Sequence, residues 1–128
     1  QSTPMNDILK SISNDPDGLL TYEFMANNIE TIEDQMPALV ENMIRVDAHG
    51  QFSVSAARYL HAIDAGKYSA EIDRLISAAI DKDRERVYIG SLLTDIWGPD
   101  YMDKASELAA ADNNFRRIYK RLYPAGII

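Results

Sequence analysis

Apolar residues recur three or four positions apart along most of the chain, and this spacing predicts a series of short helices. The clearest helix would begin at Ser69, and its inner face would carry Ile72, Leu75, Ile76, Ala79 and Ile80. Apolar and polar residues alternate nowhere clearly enough to indicate a strand. The pattern therefore predicts an all-α fold.

Stripes with the same spacing indicate helices on both sides of this one. A helix over residues 37–46 is expected, because proline is tolerated in a first turn. Gly98 and Pro99 would end another helix, and Asp112 or Asn113 would cap the last one. The remaining inward positions predicted from the spacing are Met5, Ile8, Leu9, Ile12, Phe24, Met25, Ile29, Ile32, Leu39, Val40, Met43, Ile44, Ala57, Leu60, Ile63, Ile89, Leu92, Leu93, Ile96, Met102, Ala105, Leu108, Ala109, Phe115, Ile118, Tyr119 and Leu122.

A wholly charged run over residues 81–86 separates two apolar stripes that point in different directions. At ~100° per residue, the stripe that begins at Tyr88 is turned by roughly a quarter circle or more from the stripe before it. We therefore predict a break or bend at residues 81–83, with Asp81 or Asp83 as the new cap. A single long helix packed on different neighbours is the alternative.

A short phrase of glycine, a spacer, an apolar residue and a hydroxyl residue occurs three times, at residues 18–21, 50–53 and 66–69. Glycine readily takes the backbone angles that end a helix, and a hydroxyl side chain commonly caps the next one. The phrase therefore predicts that Thr21, Ser53 and Ser69 are the N-caps of three helices.

Two of these phrases belong to a candidate repeat with a period of 32 residues, since Asp15 and Gly18 align with Asp47 and Gly50. Helix pairs that repeat at about 33–34 residues are typical of stacked α-repeats. The third phrase follows after only 16 residues, however, so chance similarity of two capped helix pairs is the simpler interpretation. We expect one domain over residues 1–128, a compact irregular bundle of about seven to eight short helices, with stacked helical hairpins as the alternative packing.

The turn that precedes the second predicted helix resembles the loop of an EF-hand. With Gly18 as the sixth loop residue, Asp15 and Asp17 fall at the third and fifth ligand positions. The first ligand would be Ser13, and Phe24 stands where the family has a bidentate glutamate. The resemblance implies a calcium loop, whereas these departures favour a capped helix turn, and we predict no metal site.

Composition and charge restrict the function classes. The chain has a net charge of −7 and no cysteine, which excludes disulfides, thiolate metal ligands and cysteine nucleophiles. Residues 112–128 carry +3, so the body before them carries −10 and repels phosphate and anionic lipid. No apolar run approaches the length of a membrane-spanning helix. We therefore expect a cytoplasmic protein without a membrane partner, and nucleic acid is disfavoured.

No catalytic pattern emerges from the residues that could carry chemistry. His61 and Asp64 stand three positions apart on one predicted helix, but no metal-binding or nucleophilic motif accompanies them. We predict no catalytic residues and no cofactor. A small enzyme with a site near His61 is one alternative.

The basic and aromatic C-terminal part supplies the candidate contact surface of our leading hypothesis, a non-enzymatic interaction module that binds a protein partner or a second copy. A nucleic-acid-associated regulator that uses the final helix is the other functional alternative. A purely structural interpretation is that these cations pair with a helix C-terminus. The predicted contact residues are Tyr88, Trp97, Tyr101, Arg116, Arg117, Tyr119, Lys120 and Arg121.

Overall fold

The computed structural model describes residues 9–125, and within this part of the chain the regular structure is entirely helical. The predicted all-α class is therefore confirmed. Residues 9–12 are helical, and short 3₁₀-helices occur at Glu33–Gln35 and Tyr101–Lys104. The α-helices that follow are α1 (Leu19–Asn27), α2 (Met36–Val46), α3 (Gln51–Asp64), α4 (Ser69–Lys82), α5 (Gly90–Trp97), α6 (Ala105–Ala111) and α7 (Asn113–Leu122).

Most helices pack on several neighbours. Helix α1 contacts α3, α3 contacts α5, and α5 contacts α7. Helices α2 and α4 also touch, and the most extensive contact joins α3 to α4. The packing is that of the predicted compact bundle of short helices.

One hydrophobic core is shared by all the helices, and most of the predicted inward positions contribute to it. The stripe on α4 is buried throughout, as its spacing predicts. Met5 and Ile8 lie outside the described residues. The largest fully buried side chains are Met25, Ile32, Met36, Leu39, Met43, Leu60, Leu75, Ile89, Leu92, Leu93, Phe115 and Ile118.

Two predicted core positions are wrong. Ile63 is 48% exposed, because steps of three residues fall about 60° short of a full turn and rotate it away from Ala57 and Leu60. Met102 is 55% exposed, because it lies in a 3₁₀-helix whose tighter turn does not continue the stripe of α6.

The predicted break after α4 is present. Helix α4 ends at Lys82, Arg86 has a positive φ of 59°, and α5 begins at Gly90. The Asp83 carboxylate is 3% exposed and accepts hydrogen bonds from the backbone N–H groups of Val87, Tyr88 and Ile89 at 2.9, 2.7 and 2.8 Å. Asp83 therefore organises the connection as a whole, while Ile89 occupies the N-cap position of α5.

The predicted hydroxyl caps are wrong. Helices α1 and α3 begin at Leu19 and Gln51, so Thr21 and Ser53 are their third residues, and Ser69 is the first residue of α4. None of the three helices has a side-chain hydrogen bond from its N-cap residue. The two N-cap glycines, at positions 18 and 50, adopt the left-handed backbone with φ of 107° and 88°, which starts each helix early.

Buried aspartates satisfy these helix starts instead. Asp15 accepts from the backbone N–H groups of Gly18 and Thr21 at 2.9 and 2.8 Å. Asp47 accepts from those of Gly50 and Ser53 at 3.1 and 2.8 Å. A charged acceptor thereby binds N–H groups that have no partner within their helix.

The loop that resembles an EF-hand is built around the Asp15 carboxylate, which is 4% exposed. Burial alone would raise the pKa of Asp15, but hydrogen bonds from Thr21, Gly18 and Asp17 outweigh it and hold the pKa below its ordinary value. Both oxygens of the carboxylate are engaged by the loop itself. The observed arrangement is that of a capped helix turn.

An aspartate binds backbone N–H groups in each of the turns that precede α1, α3, α5 and α7. Asp112 caps α7, as predicted, by accepting from Asn114 and Phe115. Asp15, Asp47 and Asp83 lie in the turns before α1, α3 and α5. The shared turn chemistry extends the similarity seen in the sequence beyond its first two copies.

Cations of α2 and α4 bind carbonyl groups at the C-terminal ends of earlier helices. Arg45 donates to the carbonyl of Ser13 at 2.6 Å, and Lys82 donates to the carbonyl of Asp47 at 2.5 Å. Burial lowers the pKa of Lys82, and the Asp47 carboxylate partly offsets this effect. These bonds satisfy carbonyls at helix ends, where positive charge is favourable.

Candidate interaction cleft beside Trp97

The aromatic residues of the predicted contact surface pack mainly on one another. The Phe115 ring lies at the centre, with ring centroids of Trp97, Tyr101 and Tyr119 at 5.3, 6.4 and 5.6 Å. The Tyr101 hydroxyl lies 2.9 Å from that of Tyr123. This hydrogen bond, burial and neighbouring charges raise the pKa of Tyr101 to about 12. Most of this aromatic surface is therefore internal packing between α5, the second 3₁₀-helix and α7.

Two of the four cations of α7 bind the end of α4. Arg117 donates to the Asp81 carboxylate at 2.6 Å. Arg121 donates to the carbonyls of Ile80, Asp83 and Arg84 at 2.5, 2.9 and 2.8 Å. Arg117 and Arg121 therefore pair with a helix C-terminus, which is the end of α4 and not that of their own helix.

The other two cations face away from α4. Arg116 and Lys120 line an open groove of about 540 Å³ between α6 and α7, together with small residues such as Ala109. Tyr88 lies elsewhere and lines a separate cleft with His49. The eight predicted contact residues are therefore distributed over several surfaces.

A more varied cleft lies where α3, α4, α5 and α7 meet, and we refer to it as the Trp97 cleft. Its volume is about 450 Å³. Its apolar lining comprises Ile72, Ile76, Ile96 and Trp97, and the first two of these are buried and form the base. Its polar lining comprises His61, Ser69, Asp73, Asp112 and Asn114.

Hydrogen bonds fix the polar side chains of this cleft. The indole N–H of Trp97 donates to Oδ2 of Asp112 at 3.1 Å, while Oδ1 of Asp112 accepts from the N-terminal backbone of α7. The buried Asn114 amide donates to Oδ1 of Asp73 at 2.8 Å. Within residues 9–125, the second carboxylate oxygen of Asp73 has no hydrogen-bond partner and Asp73 is exposed. The cleft is therefore pre-shaped, with one carboxylate oxygen still able to accept.

The arrangement suits binding. Buried isoleucines offer an apolar base, the indole adds aromatic surface, and two carboxylates offer hydrogen-bond acceptors. In the described part of the chain, no group of three histidine, cysteine, aspartate or glutamate residues is placed to hold a metal ion.

Sequence reasoning found part of this site. It singled out Trp97 and His61 and recognised Asp112 as a cap, but it did not connect them. Asp73 and Asn114 were missed because 41 residues separate them and only the packing of α7 against α4 brings them together. The one available signal was the cap at Asp112, which places residue 114 in the first turn of the last helix.

No family model, characterised protein or solved structure was found to match this chain. Across residues 9–125, no helix has both the length and the apolar character needed to cross a bilayer.

Proposed function

We propose that the protein is a non-enzymatic interaction module that binds a partner protein through the Trp97 cleft. The observation that supports this most is the convergence of four helices on an open cleft of about 450 Å³ with an apolar base and a polar rim. Sites that accept a ligand or an anchoring side chain commonly have this size and composition. The helices that form the cleft also present surface around it on which a partner can make further contacts.

The size of the cleft fits one anchoring side chain. Burial of ~100 Å² of apolar surface on the partner's anchoring side chain would contribute about 2.5 kcal/mol. That amount is typical of the binding free energy lost when one hot-spot residue of an interface is truncated. The remaining contacts of the interface would surround this anchor. The partner would therefore cover the rim as well as the cleft.

Obstruction of the cleft tests this proposal. Ser69 is exposed at the rim and is the first residue of α4, so Ser69→Trp would fill the opening with little change to the core. The matched control is Ser91→Trp, at the exposed second position of α5 and outside the cleft lining. Both variants should keep the circular dichroism spectrum of the wild type.

The full-length chain and both variants would be used to capture proteins from its native cells, and any captured protein would then be purified and titrated by calorimetry. We expect one protein to bind the wild type and Ser91→Trp and to lose at least about tenfold in affinity for Ser69→Trp, equivalent to about 1.4 kcal/mol. Equal binding to all three proteins would contradict the proposal. Sedimentation would identify a second copy as the occupant if Ser69→Trp alone converted a dimer to a monomer.

The presence of His61 at the rim of the same cleft favours a second candidate, a small enzyme in which His61 is a general base. A mixture of cell metabolites incubated with the protein would then change in composition, as measured by mass spectrometry, and His61→Gln would abolish the change. The interaction module instead predicts no turnover, with partner affinity largely kept in His61→Gln.

A further inference from the structure

We infer that the group bound in the Trp97 cleft is a positively charged side chain of the partner, with arginine the best fit. This inference rests on the proposed function and specifies the chemistry of the anchoring residue. It arises from the charge, the hydrogen bonds and the aromatic face of the cleft.

The charged residues that line the cleft are acidic. Asp73 and Asp112 both line it, and no lysine or arginine among residues 9–125 does. The groove between α6 and α7, by contrast, is lined by Arg116 and Lys120. The Trp97 cleft is therefore suited to a cation, and the α6–α7 groove is not.

Both carboxylates take their hydrogen bonds from neutral donors. Asp112 accepts from backbone N–H groups and the indole, and Asp73 accepts from the Asn114 amide. Neither residue belongs to an ion pair within the described chain, where the paired acids are Asp95, Glu33, Glu41, Asp100 and Asp81. Two acids near an apolar surface thus have no cationic partner in the described chain, and a cation bound in the cleft would be attracted by both.

The apolar lining matches the rest of an arginine side chain. The methylene stem can lie on Ile72 and Ile76 while the charged head stays at the rim. The indole N–H of Trp97 is held by its bond to Asp112, which restrains the position of the ring at the cleft. A guanidinium stacks well on an indole face and can donate two bonds to one carboxylate, which a lysine ammonium does less well.

The fluorescence of Trp97 gives a direct readout, because it is the only tryptophan in the chain. The full-length protein would be titrated with the capped peptide leucine-arginine-leucine and with a twin in which citrulline replaces arginine. Citrulline has nearly the same shape and carries no charge. We expect a saturable change in emission with the arginine peptide, at least about tenfold weaker binding of the citrulline peptide, and weaker arginine binding at high salt.

Two variants locate the charge that matters. Asp73→Asn keeps an oxygen for the Asn114 amide and should weaken arginine-peptide binding about fivefold to tenfold while leaving citrulline-peptide binding unchanged. The matched control is Glu107→Gln, which changes the net charge equally at an exposed position of α6 outside the cleft and should have no effect.

The outcomes separate this inference from the proposed function. Equal binding of the two peptides, or an arginine affinity insensitive to Asp73→Asn, would overturn the inference of a cation. Failure of both peptides to change the emission would overturn it as well. The proposed function would still hold after any of these results if Ser69→Trp weakened binding of the partner protein. It would fail only if the affinity for the partner were the same with the cleft obstructed.

Discussion

The turns at Asp15 and Asp47 share the same spacing of aspartate, glycine and hydroxyl residue, yet they treat the hydroxyl group differently. In the first turn, the Thr21 hydroxyl donates to Asp15 at 2.8 Å and accepts from the Asn42 amide at 2.9 Å. In the second turn, the Ser53 hydroxyl is buried and has no hydrogen-bond partner in the part of the chain that the structure describes. One turn therefore uses its hydroxyl group, and the other leaves a buried polar group unsatisfied.

The neighbouring helix causes this difference. Helix α2 brings Asn42 to the first turn, where its amide also donates to the carbonyl of Ile12 at 3.0 Å. Helix α4 approaches the second turn through Ala79, next to Gly50, and the alanine side chain has no donor or acceptor. The local motif thus fixes the backbone of the turn. Whether the hydroxyl group contributes to stability depends on the side chain that the neighbouring helix places beside it.

Removal of either carboxylate should have the largest effect on stability. Asp15→Ala leaves buried N–H groups and the Thr21 hydroxyl without their acceptor, and we expect it to cost about 4 kcal/mol of unfolding free energy, against about 3 kcal/mol for Asp47→Ala. Urea denaturation measures both. Asp17→Ala, which removes an exposed acceptor in the same loop, should cost less than about 1 kcal/mol. An equal loss from Asp15→Ala and Asp17→Ala would refute the role given to the buried carboxylate.

The two glycines should tolerate a side chain about equally poorly. Both lie in the left-handed region, where an added side chain is strained by about 1–2 kcal/mol. A methyl group on Gly50 would meet the backbone oxygen of Ala79 at 3.2 Å, and one on Gly18 would meet Sδ of Met43 and Cβ of Phe52, both at 3.1 Å. We expect Gly18→Ala and Gly50→Ala each to cost about 2–3 kcal/mol in the same measurement. A loss below about 1 kcal/mol from either variant would show that its turn can shift to accept a side chain.

The sequence predicted the helices well because their stripes are long and regular. The five apolar residues of α4 fix both its extent and its buried face. The charged run after it predicted the break correctly, since no straight helix could turn both stripes inward.

The helix starts were harder to predict because two side chains in each phrase can bind backbone N–H groups. Thr21 lies three residues after Gly18, and Asp15 lies three residues before it. Which of them faces the N–H groups depends on the left-handed backbone of the glycine, and the sequence alone does not reveal that conformation. The Trp97 cleft was hidden for a different reason, because Asp73 and Asn114 meet only through tertiary packing.

Removal of the hydroxyl groups gives the sharpest test of the comparison. Thr21→Val preserves shape but removes one hydrogen bond from the buried Asn42 amide and one from the buried Asp15 carboxylate, so we expect a loss of about 2 kcal/mol. Ser53→Ala removes an unsatisfied buried group, so we expect no loss or a gain of up to about 1 kcal/mol. Equal destabilisation by the two variants would mean that Ser53 has a partner after all.

Acid should reveal the smallest difference. The pKa of Asp15 is held below its ordinary value of 3.8, so its charge stabilises the fold above that pH, and the contribution is lost as the pH falls through the lowered pKa. Part of this lowering comes from the Thr21 hydroxyl, so Thr21→Val should have less stability to lose in acid. We expect the gap in unfolding free energy between the wild type and Thr21→Val to narrow by about 1 kcal/mol or less between about pH 5 and pH 2. The unfolding free energy of Ser53→Ala should instead run parallel to that of the wild type, because the Ser53 hydroxyl has no hydrogen-bond partner among residues 9–125. A constant gap for Thr21→Val would assign the lowered pKa to the backbone donors alone.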